Sequence, residues 1–272
     1  MLVWGLLVFA LVVLFCIWQN NDITITEISF YSQELPAGFE GYRVVQISDL
    51  HNKSFGQQQK RLYQAVAALQ PDLIVCTGDL VDSRRPDLEP VLELARQLTA
   101  LAPVYAVSGN HEARLPNYES EIAPALTAAG VVVLDDRQVV LERQGSQLGL
   151  LGLSDPDFGR YQDMTSQIQQ LAAASGQTFS LLLCHRPEYA SCYQQAGVDL
   201  VFCGHAHGGQ FRLPGLGGLF APGQGFLPRY TAGAYSLDAT TMVVSRGLGN
   251  SLFPLRLGNR PDVVLVTLSQ GA

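Results

Sequence analysis

Hydrophobic positions in this chain follow two regimes. From Met1 to Trp18 the run is unbroken, with no charged side chain and no hydrogen-bonding group except the indoles of Trp4 and Trp18. As a helix it would span about 27 Å at 1.5 Å per residue, close to the roughly 30 Å of a bilayer's hydrocarbon. Both tryptophans of the protein sit at its ends, where indole prefers the headgroup zone. Residues 1–20 therefore read as a transmembrane anchor. A cleaved signal peptide is the rival, but no basic residue precedes the run and no small-x-small site lies before Gln19.

After the anchor, short apolar runs alternate with helical periodicity. Strands are predicted at 23–31, 42–48, 73–77, 104–108, 131–134, 139–142, 148–153, 179–184, 200–203, 240–245 and 263–268. Helices are predicted at 57–69, 88–101, 118–129 and 161–174, each with apolar residues three and four apart. Runs such as Leu73-Ile74-Val75-Cys76 and Leu181-Leu182-Leu183-Cys184 have no polar face, so these strands are covered on both sides. The alternation predicts a layered α/β protein, with residues 21–41 as linker and first strand and 42–272 as the main domain.

Composition narrows the partners. Apolar residues make up 47% and charged residues 15%, and mean hydropathy is +0.15, which excludes a disordered chain and agrees with a lipid-embedded segment. Net charge is −7 and the only lysines are Lys53 and Lys60, so the basic face that nucleic acid needs is absent. Of the five cysteines, Cys16 lies in the anchor, and Cys76, Cys184 and Cys203 end apolar runs. They read as buried hydrophobes, not as a disulfide framework. No Lys or Arg precedes Arg43, so the amino terminus is the only positive group at the leading end. That favours a cell-membrane protein, single-pass, with its domain outside the cytoplasm.

In sheets of this kind ligands gather beyond the carboxyl ends of the strands. Read in order, those ends carry Asp49 and His51, Gly78-Asp79, Gly109-Asn110-His111-Glu112, His185, and Gly204-His205-Ala206-His207. All five histidines of the protein fall there. Asp49, His51, Asp79, Asn110, His185, His205 and His207 supply mixed nitrogen and oxygen donors, which suit zinc, manganese or iron. Seven donors oversupply one ion, whereas two divalent metal ions about 3.5–4 Å apart, sharing the carboxylate of Asp79, use them all. Two aspartates and a bridging hydroxide leave the pair with about one positive charge, attractive to phosphate. His111 adjoins Asn110 and is left for the leaving-group side, as a proton or hydrogen-bond donor, with Asp82 as its carboxylate partner.

The set D-x-H, G-D-x-x-D, G-N-H-E, a single His and G-H-x-H, in that order, resembles the calcineurin-like metallophosphoesterase superfamily over about residues 42–210. The stretch Ser245–Ser251, with Pro254-Leu255-Arg256 and Asn259-Arg260-Pro261, is similar to its membrane-associated, YkuE-like bacterial branch. The resemblance implies a four-layer sandwich of two mixed β-sheets flanked by helices, behind the transmembrane helix. It implies one metal on Asp49, His51, Asp79 and His207, a second on Asp79, Asn110, His185 and His205, and a non-ligand His111–Asp82 pair. Protein-phosphatase members continue the second motif with Arg-Gly. Here Ser83-Arg84 follow Asp82, which separates the chain from phosphoprotein specificity.

The expected function is hydrolysis of a phosphomonoester or phosphodiester by a hydroxide bridging the two metals. One alternative is cleavage of the pyrophosphate in a nucleotide-linked lipid precursor of the UDP-diacylglucosamine type. Another is a non-catalytic metal-binding scaffold. The glycine- and proline-punctuated loop after His207 is placed to carry specificity. Its Phe211, Leu216, Leu219, Phe220, Phe226 and Leu227 either pack beneath the loop or meet an acyl or isoprenoid chain, making a lipid-linked phosphate ester a candidate substrate. Arg186, Arg212 and Arg246 either contact phosphate or form ion pairs.

Overall fold

The computed structural model describes residues 1–250 and 253–271; Ser251 of the tail motif lies outside the described residues. Strands β1 (Thr24–Tyr31), β2 (Arg43–Ile47), β3 (Leu73–Thr77), β4 (Val104–Val107) and β5 (Val132–Val133) belong to one sheet. β6 (Arg137–Arg143), β7 (Ser146–Gly152), β8 (Ser180–Leu183) and β9 (Leu200–Cys203) belong to another. Four two-residue strands follow: β10 (Arg212–Leu213), β11 (Gly217–Gly218), β12 (Phe220–Ala221) and β13 (Gly225–Phe226). The chain closes with β14 (Gly233–Leu237), β15 (Thr240–Val244) and β16 (Asp262–Ser269). The helices are α1 (Leu2–Asn21), α2 (Lys60–Ala68), α3 (Glu89–Leu98), α4 (Asn110–Ala113), α5 (Ala123–Ala128), α6 (Met164–Ser175) and α7 (Ala190–Ala196).

The first sheet runs β1-β16-β2-β3-β4-β5 and the second β14-β15-β9-β8-β7-β6. Within each, the central strands are parallel: β2 to β5 in one, and β15, β9, β8 and β7 in the other. Period-two alternation along the apolar strands produces the layers. Leu73 and Val75 face the second sheet while Ile74 and Cys76 face α2 and α3. Leu181 and Leu183 face the first sheet while Leu182 faces α6 and α7. Three apolar cores result, one between the sheets and one beneath each helical layer, giving helix, sheet, sheet, helix. Each fully buried leucine or valine contributes about 1.5–3 kcal/mol, so neither sheet can show its outer face to water.

The predicted strands are present with ends shifted by two residues or fewer. Helices differ more. The predicted 118–129 helix opens as a wide turn over Tyr118–Ile122, because Pro124 cannot donate to the ladder, and becomes α-helical only at Ala123. The 161–174 helix starts at Met164, where the Asp163 carboxylate accepts from the amides of Thr165 and Ser166. Besides the four-residue α4 and the two-residue strands β10 to β13, two elements escape the pattern: edge strand β14, whose Gly and Ser residues break any apolar run, and α7, too short to show a period.

α1 is long and apolar enough to cross a membrane and is almost wholly exposed. Its end is fastened to the domain. Lys53 Nζ donates to the Asn20 carbonyl, Arg61 to that of Asn21 (2.9 Å) and Asn250 Nδ2 to Asn20 Oδ1 (2.8 Å), while Arg260 pairs with Asp22 and lies over the Trp18 ring. Asn250 belongs to the tail motif, organised by fully buried Arg256. Its guanidinium donates to Asn250 Oδ1 (2.9 Å) and to the carbonyls of Arg246 (2.9 Å) and Gly249. The amides of Leu248 and Gly249 in turn donate to the carbonyls of Ser48 and Asp49.

Candidate metal centre

The ends of β2, β3, β4, β8 and β9 converge on one rim. Asp49, His51, Asp79, Asn110, His111, His185, His205 and His207 meet there, none more than 7% exposed, and Asp82 lies beside them, partly open. Residues up to 158 positions apart are thus neighbours. Asp49, His51, Asp79, His205 and His207 all adopt φ between 46° and 64°, the left-handed region. That turn folds each side chain back over its strand end at a cost of about 1–2 kcal/mol per residue. The turns hold because their amides are paired: Asp49 N–H donates to Gly78 O and His51 N–H to Asp79 O, both at 3.0 Å. Glycine is required at 109, where a Cβ would lie 2.3 Å from Asp79 Oδ1.

Among the described residues two donor groups share Asp79, each with its atoms within 4.8 Å of one another: Asp49, His51, Asp79 and His207, and Asp79, His185 and His205; a third, away from Asp79, brings together His51, Asp82 and His111. In the first, His51 Nε2 lies 3.2 Å from His207 Nε2, and Asp49 Oδ1 lies 3.5 Å from His207 Nε2. In the second, His185 Nε2 lies 3.1 Å from His205 Nδ1 and 3.2 Å from Asn110 Oδ1. Asp79 Oδ2 stands between them, 3.7 Å from His51 Nε2 and 3.3 Å from His185 Nε2.

Burial pushes His51 down to about 4 and holds His205 and His207 well below the ordinary histidine range, so all three stay neutral. Burial would also lower His185, but the Asp79 carboxylate beside it prevails and brings it up to about 10. The same proximity outweighs burial at Asp79 and keeps it ionised, while burial raises Asp49 to about 6. Lone pairs of neutral imidazoles facing one another and two carboxylates do not satisfy each other. A cation in their midst would, and the donor chemistry fits nitrogen- and oxygen-binding divalent metals.

Neighbouring groups set the ring orientations. His185 Nδ1 donates to the Thr77 carbonyl (2.7 Å), which turns Nε2 to the centre, where it offers a lone pair once its proton is displaced. Ser83 N–H donates to His111 Nδ1 (3.0 Å), so the proton of the neutral ring sits on Nε2; Asp82 Oδ1 is 3.3 Å from that same Nδ1. Two contributors carry no role in the sequence reading. Glu112, buried, accepts from the amides of Asp79, Val81 and Gly109, each at 2.8 Å, and so clamps β3 to β4; its only signal is its place in G-N-H-E. Glu188 Oε1 faces His205 Nε2 at 3.7 Å, and nothing in its sequence context marks it.

A cavity of about 310 Å³ opens over the rim, lined by Asp79, Asn110, His111, His205 and His207, by Arg84, Arg114 and Arg186, and by Pro222 and Gly223. Arg186 is held by Asp155 in two hydrogen bonds (2.8 and 2.7 Å), Arg212 donates to Gly208 O and Thr231, and Arg246 to Thr24 and Asp262. All three are engaged within the protein. A larger groove of about 980 Å³ beside α5 and β5 holds none of the histidines. In the loop after His207, Phe211 and Leu219 are half-buried, but Leu216, Phe220, Phe226 and Leu227 are exposed, so packing beneath the loop does not account for these four.

Comparison with known proteins agrees. The family described as calcineurin-like phosphoesterase matches residues 42–209. The uncharacterized metallophosphoesterase YkuE of Bacillus subtilis is 33% identical over 92% of this chain and 87% of its own length. Phosphodiesterase YaeI of Escherichia coli is 30% identical over 84% and 82%. Among solved structures, TT1561 of Thermus thermophilus superposes with a TM-score of 0.52 at 13% identity, covering 76% of this chain and 90% of that one, a likeness of fold.

Proposed function

Because this chain belongs to the calcineurin-like phosphoesterase family, we propose that it hydrolyses a phosphomonoester or phosphodiester at a centre of two divalent cations. Asp49, His51, Asp79 and His207 would hold one cation, and Asp79, Asn110, His185 and His205 the other. The observation that carries the reading is the position of Asp79 Oδ2 between the two donor groups. Bound there, zinc, manganese or iron would activate a shared water as nucleophile and neutralise the phosphate oxyanions.

The chain's own residues supply the rest. His111 Nε2–H gives a hydrogen bond to the departing ester oxygen as the P–O bond breaks; when the ring carries a second proton, stabilised by Asp82 near Nδ1, the Nε2 proton passes to that oxygen and the ring returns to neutral. Arg84, Arg114 and Arg186 line the cavity mouth, ion-paired with Asp82, Asp157 and Asp155 respectively. The domain is carried by α1 as a single-pass anchor over residues 1–20, on the outer side of the membrane. A complete set of donors with His111 in place argues for an enzyme and against a scaffold. The exposed apolar side chains near Pro222 and Gly223 favour a lipid-linked substrate, whether a simple phosphodiester or a nucleotide-linked pyrophosphate.

Elemental analysis of the purified chain, with hydrolysis rates on mono-, di- and pyrophosphate esters with and without lipid tails, tests this. Two metals per chain and turnover that disappears in Asp79→Ala are expected. Full turnover by Asp79→Ala, or substoichiometric metal in the active protein, would overturn it.

A further inference from the structure

Among the described residues outside α1, most of the exposed large hydrophobics are gathered in two segments: Leu213, Leu216, Phe220, Phe226 and Leu227 in the first, Phe253 and Leu257 in the second. The segments are joined. Phe211 and Phe253 stack edge to face at 5.1 Å, Arg212 N–H donates to Leu257 O (2.9 Å), and Gln210 Nε2 donates to the carbonyls of Phe253 (3.1 Å) and Leu255 (2.8 Å). The second segment also holds the end of α1. Asn250 Nδ2 donates both to Asn20 Oδ1 and to Pro254 O (2.8 Å each), and Arg260 pairs with Asp22. The two segments thus link the end of α1 to the stretch that reaches the mouth of the cavity at Pro222 and Gly223.

Charge along the same stretch is one-sided. Between Asp199 and Asp262 the only acidic residue is Asp238, against five arginines, in a protein whose net charge is −7. A surface of phenylalanines and leucines without carboxylates suits a headgroup layer, into which aromatic and aliphatic side chains sink; of the five arginines Arg229 is exposed to meet its phosphates, whereas Arg256 is buried and Arg212, Arg246 and Arg260 are engaged within the protein.

We propose that the 211–227 flap and the 253–257 segment form a second membrane contact, which dips into the bilayer that holds α1 and sets the metal-centre cavity against the headgroup layer. The proposal rests on the anchorage given above and adds to it that the domain does not stand clear of the membrane. Its substrate would then be a phosphate ester whose apolar part stays in the bilayer during turnover.

Site-directed spin labelling of the full chain in phosphatidylethanolamine–phosphatidylglycerol vesicles tests it, in a Cys16→Ala, Cys192→Ala background. Labels at F9C, F226C and V140C are compared for collision with lipid-soluble oxygen and with a water-soluble nickel chelate. Positions 9 and 226 should be oxygen-rich and nickel-poor, and position 140 the reverse. A label at 226 as nickel-exposed as that at 140, with position 9 protected, overturns the second contact alone; a nickel-exposed position 9 overturns the anchorage and this proposal together. Protection at 226 in a protein without hydrolytic activity supports the contact while the catalytic reading fails. As an activity arm, Phe226→Asp with Leu227→Asp should lower turnover of a vesicle-embedded phosphate ester by about tenfold or more. Turnover of a short soluble diester should hold, and equal loss on both substrates would count against the contact.

Discussion

At the metal centre, eight donor-bearing residues hang from the ends of five strands and are nearly sealed from solvent, whereas the flap that follows has only two-residue strand pairs and leaves Phe226 84% exposed. In the centre two ring orientations are set by a second partner, Thr77 O for His185 and Ser83 N–H for His111, and the Glu112 carboxylate holds the turns beneath. In the flap, apolar side chains meet mostly one another, as in the Phe220–Phe226 pair at 5.4 Å. Metal chemistry needs donors held within a fraction of an ångström, so it sits on strand ends braced by two sheets. Contact with a fluid partner requires surface area and adaptability, which a loosely paired loop supplies.

Substitutions separate the two regions. Asp79→Ala removes the carboxylate common to both donor groups, and hydrolysis should fall by about 10³-fold or more, the several kcal/mol a metal pair supplies, with metal content falling in parallel. His111→Asn should cost about 10²–10⁴ in turnover while metal content stays at the wild-type level, read by elemental analysis beside rates. Loss of metal in that variant would merge the two roles. Glu112→Ala leaves three buried amides without an acceptor, so chemical denaturation should show a loss of about 1–3 kcal/mol for each that stays dry.

Metal affinity should depend on pH. His185, pulled up to about 10 by Asp79, carries a proton at neutral pH that ligation must displace. Affinity should therefore rise with pH, by up to about tenfold per unit for one displaced proton, and calorimetric titration in buffers of different ionisation enthalpy should detect its release. The smallest expected effect belongs to the flap: Phe226→Ser should change stability by less than about 0.5 kcal/mol in detergent, as for other exposed positions. A large loss there would erase the contrast between the two regions.

The sequence by itself determined the strands other than β14 and the short pairs of the flap, the apolar leader, and which residues follow the strands that meet at the rim. Strand burial is written in consecutive residues, and a histidine or aspartate directly after a two-sided apolar run can only emerge at a sheet's carboxyl edge. Other features depended on parts of the chain far apart. Asp79 stands between the donor groups only because the two sheets stack, and Arg186 is held by Asp155 because β7 and β8 pair side by side. Glu112 became a clamp when β3 and β4 paired. Exposure of Phe220, Phe226 and Leu227, and the tie from Arg256 through Asn250 to the end of α1, were decided by tertiary structure alone. An apolar residue carries no mark of whether its covering is protein or lipid until everything around it is in place.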